Sequence, residues 1–374
     1  MKILILGFTK VKYMPYLNLY LDNIDREKHE VHLLYWNRDL KQENLVSLEN
    51  IKLHEFLFYQ EDDVSKHLKI KAFFKYRQYA LKILKNQKFD FIIILHSLPG
   101  VLIFDKLEKF KGNYILDYRD STYEKFEFFK KIIGRIVKNS YVTFVSSDGF
   151  RNFLPKDCQY KIFISHNLLI DSLNHREDKD KYGLKSNKIR IAFWGFIRHE
   201  ALNIQIIDNI SKDRRFELHY YGREQKTAWN LKRYVKQNNI QNVFFHGEYQ
   251  PEERYTFIQQ TDMIHNIYHD DNTMVAVGNK YYDGIVFRIP QLCMTNSFMG
   301  KKVRENGLGL EVNPYDNNFI ENIFTYYKNL EMDVFKKHCN NSLEVILKEI
   351  QEITFLIKNI QKIHNNSKYE NNIL

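Results

Sequence analysis

The chain is poor in cysteine, and the few it has do not form a recognisable site. Three occur among 374 residues, at Cys158, Cys293 and Cys339, and no two of them form a CxxC pair. Disulfide-stapled secreted domains and structural zinc sites have denser and more regular cysteine patterns. We therefore expect a protein of a reducing compartment, with no disulfide framework and no zinc site. We also predict no other metal and no cofactor.

Long apolar runs are also missing. No stretch approaches the roughly 18–20 apolar residues of a membrane-spanning helix. The first residues, MKILILGFTK, have one Lys before a short apolar run and no small-residue cleavage site. The scarcity of Gly (14) and Pro (6) argues against a fibrous or linker-rich chain. These features predict a cytoplasmic globular protein that is not integral to a membrane.

Two common phosphate-binding motifs are absent. The loop after the first predicted strand reads Gly7-Phe8-Thr9-Lys10, which is not a GxGxxG turn, and the chain has no GxxxxGK[ST] sequence. Both motifs place backbone N–H groups around phosphates. Their absence argues against dinucleotide-dependent oxidoreductases and P-loop enzymes.

What the chain does contain is a repeated alternation of apolar strands and helical segments. Hydrophobic residues make up 44% of it and charged residues 27%, which suits two globular domains. We predict strands at 2–7, 31–35, 51–57, 91–95, 114–116, 142–145 and 161–164, and then at 189–194, 216–221, 243–246, 262–267, 291–294 and 310–312. Such alternation predicts an α/β fold with mostly parallel, doubly wound sheets.

A polar, charged segment without apolar periodicity, 173–188, separates the two runs of strands. It predicts a linker between a first domain at 1–172 and a second at 189–350. The chain from 319 to 363 has a helical pattern, so we expect a helical C-terminus, with 351–374 forming a last helix and a polar tail.

The second half places candidate binding residues just after its strands, where ligands bind in doubly wound sheets. These residues are Gly195, Arg198, Gly222, Arg223, Gly247, Asn279, Lys280 and Asp283. Glycine allows a backbone to approach a ligand closely, and the Arg and Lys side chains supply positive charge. The set suits an anionic ligand with hydroxyl groups.

The stretch GNKYYDGIVFRIP, from Gly278 to Pro290, allows two interpretations. Asn279 is the expected N-cap of a helix that runs to about Phe287. Helix N-termini favour phosphate, and a carboxylate one turn later, at Asp283, can accept both hydroxyls of a ribose. The alternative is an ordinary capped helix with a solvated Lys280–Asp283 pair.

In the first half, His96 follows one predicted strand, and Asp117, Arg119 and Asp120 follow the next. A carboxylate or histidine at these positions can orient or deprotonate an acceptor hydroxyl. In the alternative interpretation, Arg119 pairs with one of the aspartates and His96 is a core residue.

The net charge is +10, and two basic, aromatic segments stand out, at 66–85 and 126–139. Either can lie on an anionic membrane surface, or it can be an amphipathic helix that packs on the sheet with a solvated basic face. We expect no nucleic-acid binding, because no recognised module is present.

With these motifs identified, the whole chain resembles a GT-B glycosyltransferase of the large group 1, family-4-like class found in bacterial capsule and exopolysaccharide assembly. Eight segments match that family in order: FDFIIILHS, YILDYRDS, VTFVSSDGFRNFL, FISHNLLID, FWGFIRHEALNIQIID, FELHYYGR, GNKYYDGIVFRIPQL and NGLGLEV. The resemblance implies two Rossmann-like domains that face a cleft, with C-terminal helices that cross back to the first domain.

The resemblance also implies roles for the residues. Arg198 and Lys280 would be catalytic and stabilise a donor diphosphate, and Asp283 would hold its ribose. The first domain would bind a lipid-linked saccharide acceptor, with Gly7 and His96 as the predicted binding residues and Asp117 and Asp120 as further predicted catalytic residues that act on the acceptor. The protein would associate peripherally with the inner face of the cell membrane and retain the configuration of the sugar.

The chain departs from the family pattern at its E-x7-E element. Val275 stands at the first Glu, and the second is the shorter Asp283. Asp270 or Asp271 is a candidate replacement for that first Glu, while His199 and Asn203 stand where a basic residue is expected. The departures leave two alternatives open, a non-catalytic partner of an active transferase and a nucleotide-sugar epimerase of the same fold.

Overall fold

A computed structural model describes residues 1–60, 66–176 and 188–360 and divides the chain into two compact units. The first unit comprises Met1–His166 and the chain from Leu347 onward, and the second comprises Asn167–Ile346. Most of the predicted linker, 177–187, lies outside the described residues, as does the predicted tail from 361.

The first unit is built on a seven-stranded parallel sheet. Its strands are β1 (Lys2–Leu6), β2 (Glu30–Asn37), β3 (Lys52–Leu57), β4 (Phe91–Leu95), β5 (Tyr114–Tyr118), β6 (Val142–Val145) and β7 (Ile162–Ile164). Their order is β3-β2-β1-β4-β5-β6-β7. Its helices are α1 (Leu17–Leu21), α2 (Lys66–Asn86), α3 (Ser97–Leu102), α4 (Phe104–Leu107) and α5 (Glu127–Asn139). Runs such as FIIIL in β4 are buried throughout, as parallel strands covered on both faces require.

The second unit repeats the plan with a six-stranded parallel sheet. Its strands are β8 (Ile189–Trp194), β9 (Phe216–Tyr221), β10 (Val243–Gly247), β11 (Met263–Asn266), β12 (Gln291–Met294) and β13 (Gly309–Val312). Their order is β10-β9-β8-β11-β12-β13. Its helices are α6 (Glu200–Ser211), α7 (Lys226–Gln237), α8 (Arg254–Gln259), α9 (Asn279–Val286), α10 (Phe298–Glu305) and α11 (Phe319–Lys328).

Short 3-10 helices complete the described elements. They lie at Val11–Tyr13, Val46–Leu48, Glu108–Phe110, Asp148–Phe153, Lys156–Lys161, Ile170–His175 and Pro251–Glu253.

Both sheets are doubly wound, which confirms the predicted fold class and the predicted strands. In each sheet the strand order reverses beside the first strand, between β1 and β4 and between β8 and β11. Ligands of doubly wound sheets bind beyond the carboxyl ends of the strands near this point. Residues that follow β1, β4, β8 and β11 are therefore the candidates for ligand binding.

The C-terminal helix returns to the first unit, as predicted. Helix α12 (Met332–Lys358) begins in the second unit, and its last turns belong to the first. Ile353 and Ile357 are buried in the core of the first sheet, and Glu349 Oε2 lies 2.6 Å from His166 Nε2. The prediction of one helical run from 319 was wrong in detail, because α11 ends at Lys328 and α12 starts at Met332.

In each sheet, a Glu–His–His row of polar side chains links an edge strand to its neighbour, β3 to β2 and β10 to β9. In the first unit, His32 Nδ1 lies 2.8 Å from His54 Nε2, and Glu30 lies 2.9 Å from His32 Nε2. In the second, His219 Nδ1 lies 3.0 Å from His246 Nε2 and Glu217 follows in the same way. Burial lowers the pKa of His219 to about 4, so this histidine is neutral at pH 7, and burial also lowers the pKa of His246.

Candidate functional site

Three predicted glycines lie together at the carboxyl end of the second sheet. Gly195 and Gly222 follow β8 and β9 with φ values of 119° and 149°, a region that favours glycine. A Cβ atom on Gly222 would stand 1.7 Å from the Gly195 carbonyl oxygen. The Gly222 N–H donates to the carbonyl of Gly247 at 2.7 Å. The backbone of three strand ends is thus packed closely without side chains between them.

The buried side chain of Lys280 ends close to Gly195. Its ammonium group donates to the carbonyl of Trp194 at 3.0 Å and to the hydroxyl of Tyr268, and it lies 4.2 Å from the centre of the Phe193 ring. A Cβ on Gly195 would stand 4.0 Å from Lys280 Nζ. Burial, with a smaller effect of Arg198, lowers the pKa of Lys280 to about 7. The ammonium form of Lys280 can therefore bind an anion that approaches the backbone at Gly195.

Arg198 brings a second positive charge to the same place. Its side chain is exposed, and its guanidinium lies 5.8 Å from the centre of the Tyr268 ring, which also contacts Lys280. Arg223 is half-buried, and its guanidinium lies 5.0 Å from the ring centre of the exposed Phe196. Arg198 and Lys280 therefore flank one tyrosine, one of them in solvent and one in the interior.

Asp283 is buried, and both of its oxygens have donors close by. Trp194 Nε1 donates to Oδ2 at 2.8 Å, and Arg254 Nη1 lies 3.4 Å from Oδ1. Burial raises the pKa of this carboxyl group, while Arg254 and Trp194 act in the opposite direction. The alternative of a solvated Lys280–Asp283 pair is wrong, since both side chains are buried.

The start of α9 differs from the prediction. Gly278 occupies the N-cap position without a side-chain cap, and Asn279 is the first helical residue. The helix ends before Phe287, as expected. The N-terminal N–H groups of α9 therefore have no side-chain oxygen from a capping residue at Gly278.

Asp270, a candidate replacement for the missing Glu at Val275, is already engaged. Its Oδ1 accepts from the backbone N–H groups of Asn272 and Thr273 at 3.0 and 2.8 Å. Its Oδ2 lies 3.3 Å from His199 Nε2. Burial lowers the pKa of His199, so this histidine is neutral at pH 7.

Asn203 holds the loop that carries Arg198. Its Nδ2 donates to the carbonyl oxygens of Arg198 and His199 at 2.7 and 3.1 Å, and its Oδ1 accepts from the hydroxyl of Tyr220 at 2.7 Å. His199 itself has a left-handed backbone, with φ of 63°. The polar residue that the sequence offers in place of a basic one therefore shapes the loop.

The first unit separates its candidate residues. Asp117 is fully buried and pairs with Arg119 through two 2.8 Å contacts, and the hydroxyl of Tyr20 donates to it at 2.7 Å. Arg119 also donates to Ser165 Oγ at 2.6 Å. The alternative interpretation, an Arg119–aspartate pair, is confirmed for Asp117.

His96 and Asp120 form the more accessible pair at the same strand ends. His96 Nε2 lies 3.1 Å from Asp120 Oδ2, and both side chains are partly exposed. His96 has a strained backbone for a residue with a Cβ, with φ of 87°. Gly7, by contrast, is buried, and a Cβ there would stand 2.8 Å from the side chain of Met14.

The sequence interpretation missed three residues of the second-unit site: Trp194, Tyr268 and Arg254. Trp194 directly precedes Gly195, so its place at a strand end was a usable signal. Arg254 and Tyr268 carried no local signal, because their contacts lie on other elements.

No protein-family model matches the chain, and no curated protein matches it in sequence. Solved structures do match it in fold. Sucrose-phosphate synthase from Thermosynechococcus elongatus matches with a TM-score of 0.68 and 11% identity, over 100% of this chain and 98% of that one. Anabaena Alr3699/HepE, in complex with UDP and glucose, matches with a TM-score of 0.60 and 12% identity over the whole of both chains.

A third solved structure is UDP-GlcNAc 2-epimerase from Neisseria meningitidis bound to UDP-GlcNAc. It matches with a TM-score of 0.56 and 15% identity, over 94% of this chain and all of that one. Together with the two doubly wound units, these likenesses define the class: the chain has the GT-B fold.

The described ranges contain no helix that is both long and apolar enough to cross a membrane.

Proposed function

We propose that this protein is a glycosyltransferase that moves a sugar from a nucleotide-sugar donor to an acceptor hydroxyl. The observation that carries the proposal is the placement of charged residues near the end of β8 in a chain with the GT-B fold: Lys280 lies close to Gly195, Asp283 accepts from Trp194, and Arg198 shares the Tyr268 ring with Lys280. The acceptor is a lipid-linked saccharide of bacterial surface-polysaccharide synthesis, and transfer retains the sugar configuration.

The donor contacts follow from charge and position. Lys280 and Arg198 bind the diphosphate and stabilise the charge that develops as it leaves, which requires no metal. Asp283 accepts from the ribose hydroxyls, while Asn279 and Arg223 contribute at the rim. The glycines 195, 222 and 247 allow the donor to approach the backbone. HepE has the same fold and was solved with UDP-glucose, so a uridine diphosphate sugar is the first donor to test.

The acceptor contacts are assigned to the accessible pair in the first unit. Asp120, 3.1 Å from His96, can accept the proton of an acceptor hydroxyl or orient it. Asp117 contributes through Arg119, with which it forms an ion pair, and Gly7 is the candidate at the end of β1.

Two other functions have specific support. The GT-B epimerase from Neisseria meningitidis motivates nucleotide-sugar epimerisation, which needs no acceptor. Val275 in place of a donor-binding Glu motivates a non-catalytic partner of an active transferase. Product analysis separates the three.

The proposed donor site predicts stabilisation by nucleoside diphosphates. UDP, GDP, ADP and their sugars would be compared by thermal shift, since a ligand that binds the native state raises its melting temperature. A ligand at 100 times its Kd stabilises by about 2.7 kcal/mol. The best donor would then be incubated with and without a lipid-linked saccharide. Transfer supports the proposal, epimerised donor alone supports the epimerase, and no stabilisation by any member rejects a donor site.

Peripheral membrane binding is proposed for the surface around α5. Phe126 and Phe128 are 45% and 64% exposed at its start, and Lys125 Nζ lies 5.7 Å from the Phe126 ring centre. Lys130 and Lys131 follow within the first turns. Exposed aromatic rings beside lysines suit an anionic lipid surface.

Replacing Phe126 and Phe128 together by Ser should reduce binding to vesicles of phosphatidylglycerol and phosphatidylcholine about tenfold or more, because two rings no longer insert. Co-sedimentation measures it, and added salt should weaken wild-type binding. Phe355→Ser, which removes an equally exposed ring on α12, is the matched control. Equal binding of all three proteins would contradict this surface.

A further inference from the structure

Two residues without an assigned role in donor binding, Trp194 and Arg254, contact the carboxylate of Asp283. Trp194 comes from the end of β8 and Arg254 from the start of α8, and they meet the carboxylate at 2.8 and 3.4 Å. All three residues are buried: Trp194 is 3% exposed, Arg254 is 9% exposed and Asp283 is 5% exposed. A carboxylate has about four lone-pair positions, so two donors leave two positions for a ligand.

Trp194 is itself held by a row of rings. Phe257 lies 5.6 Å from Trp194 between ring centres, and Tyr221 stacks on Phe257 at 4.1 Å. Tyr249 meets the other edge of Phe257 at 5.1 Å. Because α8 carries both Phe257 and Arg254, one short helix supports both partners of Asp283.

The chemistry of this arrangement suits a vicinal diol. A ribose presents two adjacent hydroxyl donors, and one carboxylate can accept from both only if its plane is held. Trp194 and Arg254 contact different oxygens, so together they restrict rotation of the carboxylate. A ligand with one hydroxyl would leave one buried lone pair without its donor, which carries a free-energy cost.

We infer that Trp194 and Arg254 are positioning residues that fix the Asp283 carboxylate for both hydroxyls of a ribose and so make the site select ribonucleotides over 2′-deoxyribonucleotides. This inference rests on the proposed donor site. It assigns the sugar specificity of the nucleotide to two side chains that need not touch the ligand.

The test compares the Kd values of UDP and 2′-deoxy-UDP, with GDP and 2′-deoxy-GDP in parallel, for the wild type and three variants. Wild type should prefer the ribonucleotide on the order of tenfold to a hundredfold, the usual range for a lost hydrogen bond to a charged group. Trp194→Phe keeps the ring against Phe257 but removes the N–H, and it should lose most of this preference. Arg254→Gln should do the same.

Trp229→Phe, an exposed tryptophan on α7, is the matched control and should keep the preference. The ratio of the two Kd values is the decisive readout, since a general loss of stability would weaken both nucleotides equally. Pyrophosphate affinity should change little in Trp194→Phe.

Full ribose preference in folded Trp194→Phe and Arg254→Gln would overturn the inference, as would equal wild-type affinity for both nucleotides. Failure of the wild type to bind any nucleoside diphosphate is a different result, because it rejects the proposed donor site itself.

Discussion

Lys280→Met should remove most of the activity and at the same time stabilise the protein. Lys280 is buried among Phe193, Tyr268 and the Trp194 carbonyl. Loss of a preorganised protein group that stabilises the charge on the leaving diphosphate typically reduces turnover about 10²–10³-fold. Met has a similar length and needs no desolvation of charge. The free energy of unfolding near pH 7 should therefore rise by roughly 2–4 kcal/mol.

The pH dependence of this effect has a definite sign. The pKa of Lys280 falls from 10.5 to about 7 on folding. Between these values the unfolded chain binds the extra proton, so the contribution of Lys280 to stability increases as pH rises from 7 to 10.5 and is lost as pH falls through this window. Lys280→Met should show no such contribution.

Donor binding should show the opposite trend with pH. A bound diphosphate favours the charged form of Lys280, so binding takes up a proton above pH 7 and donor affinity falls as pH rises from 7 to 9. Calorimetry in buffers of different ionisation enthalpy measures this uptake. The uptake should be absent in Lys280→Met.

Arg198→Met is the matched control. Arg198 is exposed, so its replacement should reduce donor affinity and turnover without raising the free energy of unfolding. Denaturation curves and donor titrations of both variants decide the matter. A Lys280→Met protein that binds the donor normally, or that is less stable than wild type, would contradict the assigned role.

Asp117→Ala should destabilise the first unit by about 3–5 kcal/mol, the usual cost of removing one partner from a buried ion pair. The Arg119 guanidinium would stay buried without its carboxylate, and the Tyr20 hydroxyl would lose its acceptor. Urea unfolding followed by Trp36 fluorescence, with Trp194 and Trp229 changed to Phe, reports on the first unit, because Trp36 lies in β2. Asp117→Asn should cost less, since it keeps an oxygen for Tyr20.

Asp120→Ala provides the comparison within the same strand end. Asp120 pairs with His96 in partial contact with solvent, so its loss should change the unfolding free energy by less than about 1 kcal/mol. If Asp120 contacts the acceptor, this variant should instead lose transfer activity while still binding the donor. Equal destabilisation by Asp117→Ala and Asp120→Ala would contradict a larger contribution of the buried Asp117–Arg119 pair to the free energy of unfolding.

The family resemblance and the fold class could both be read from the sequence, and the reason is local. Parallel strands that are covered on both faces must be apolar along their whole length, as IIIL in β4 and IAFW in β8 are. A glycine after such a strand marks a close backbone approach, which the structure realises at Gly195 and Gly222. These signals lie within a few residues of each other, so no knowledge of distant contacts was needed.

Local signals were weaker at helix ends and breaks. The sequence predicts Asn279 as an N-cap, but Gly278 occupies that position. The break between α11 and α12 is not apparent in the helical pattern from 319. Capping preferences are worth about 1 kcal/mol, so tertiary packing readily moves a boundary by a residue.

Side-chain partners were decided by the tertiary structure alone. Trp194 and Asp283 are 89 positions apart, and Tyr20 and Asp117 are 97 apart. Each pair joins a strand to a helix from a distant part of the chain: Trp194 in β8 meets Asp283 in α9, and Asp117 in β5 meets Tyr20 in α1. The sequence by itself determined two α/β units and the residue types at their strand ends. Which carboxylate is locked into an ion pair, and which lysine is buried enough to lose its proton near pH 7, depends on burial and long-range contacts that no local pattern encodes.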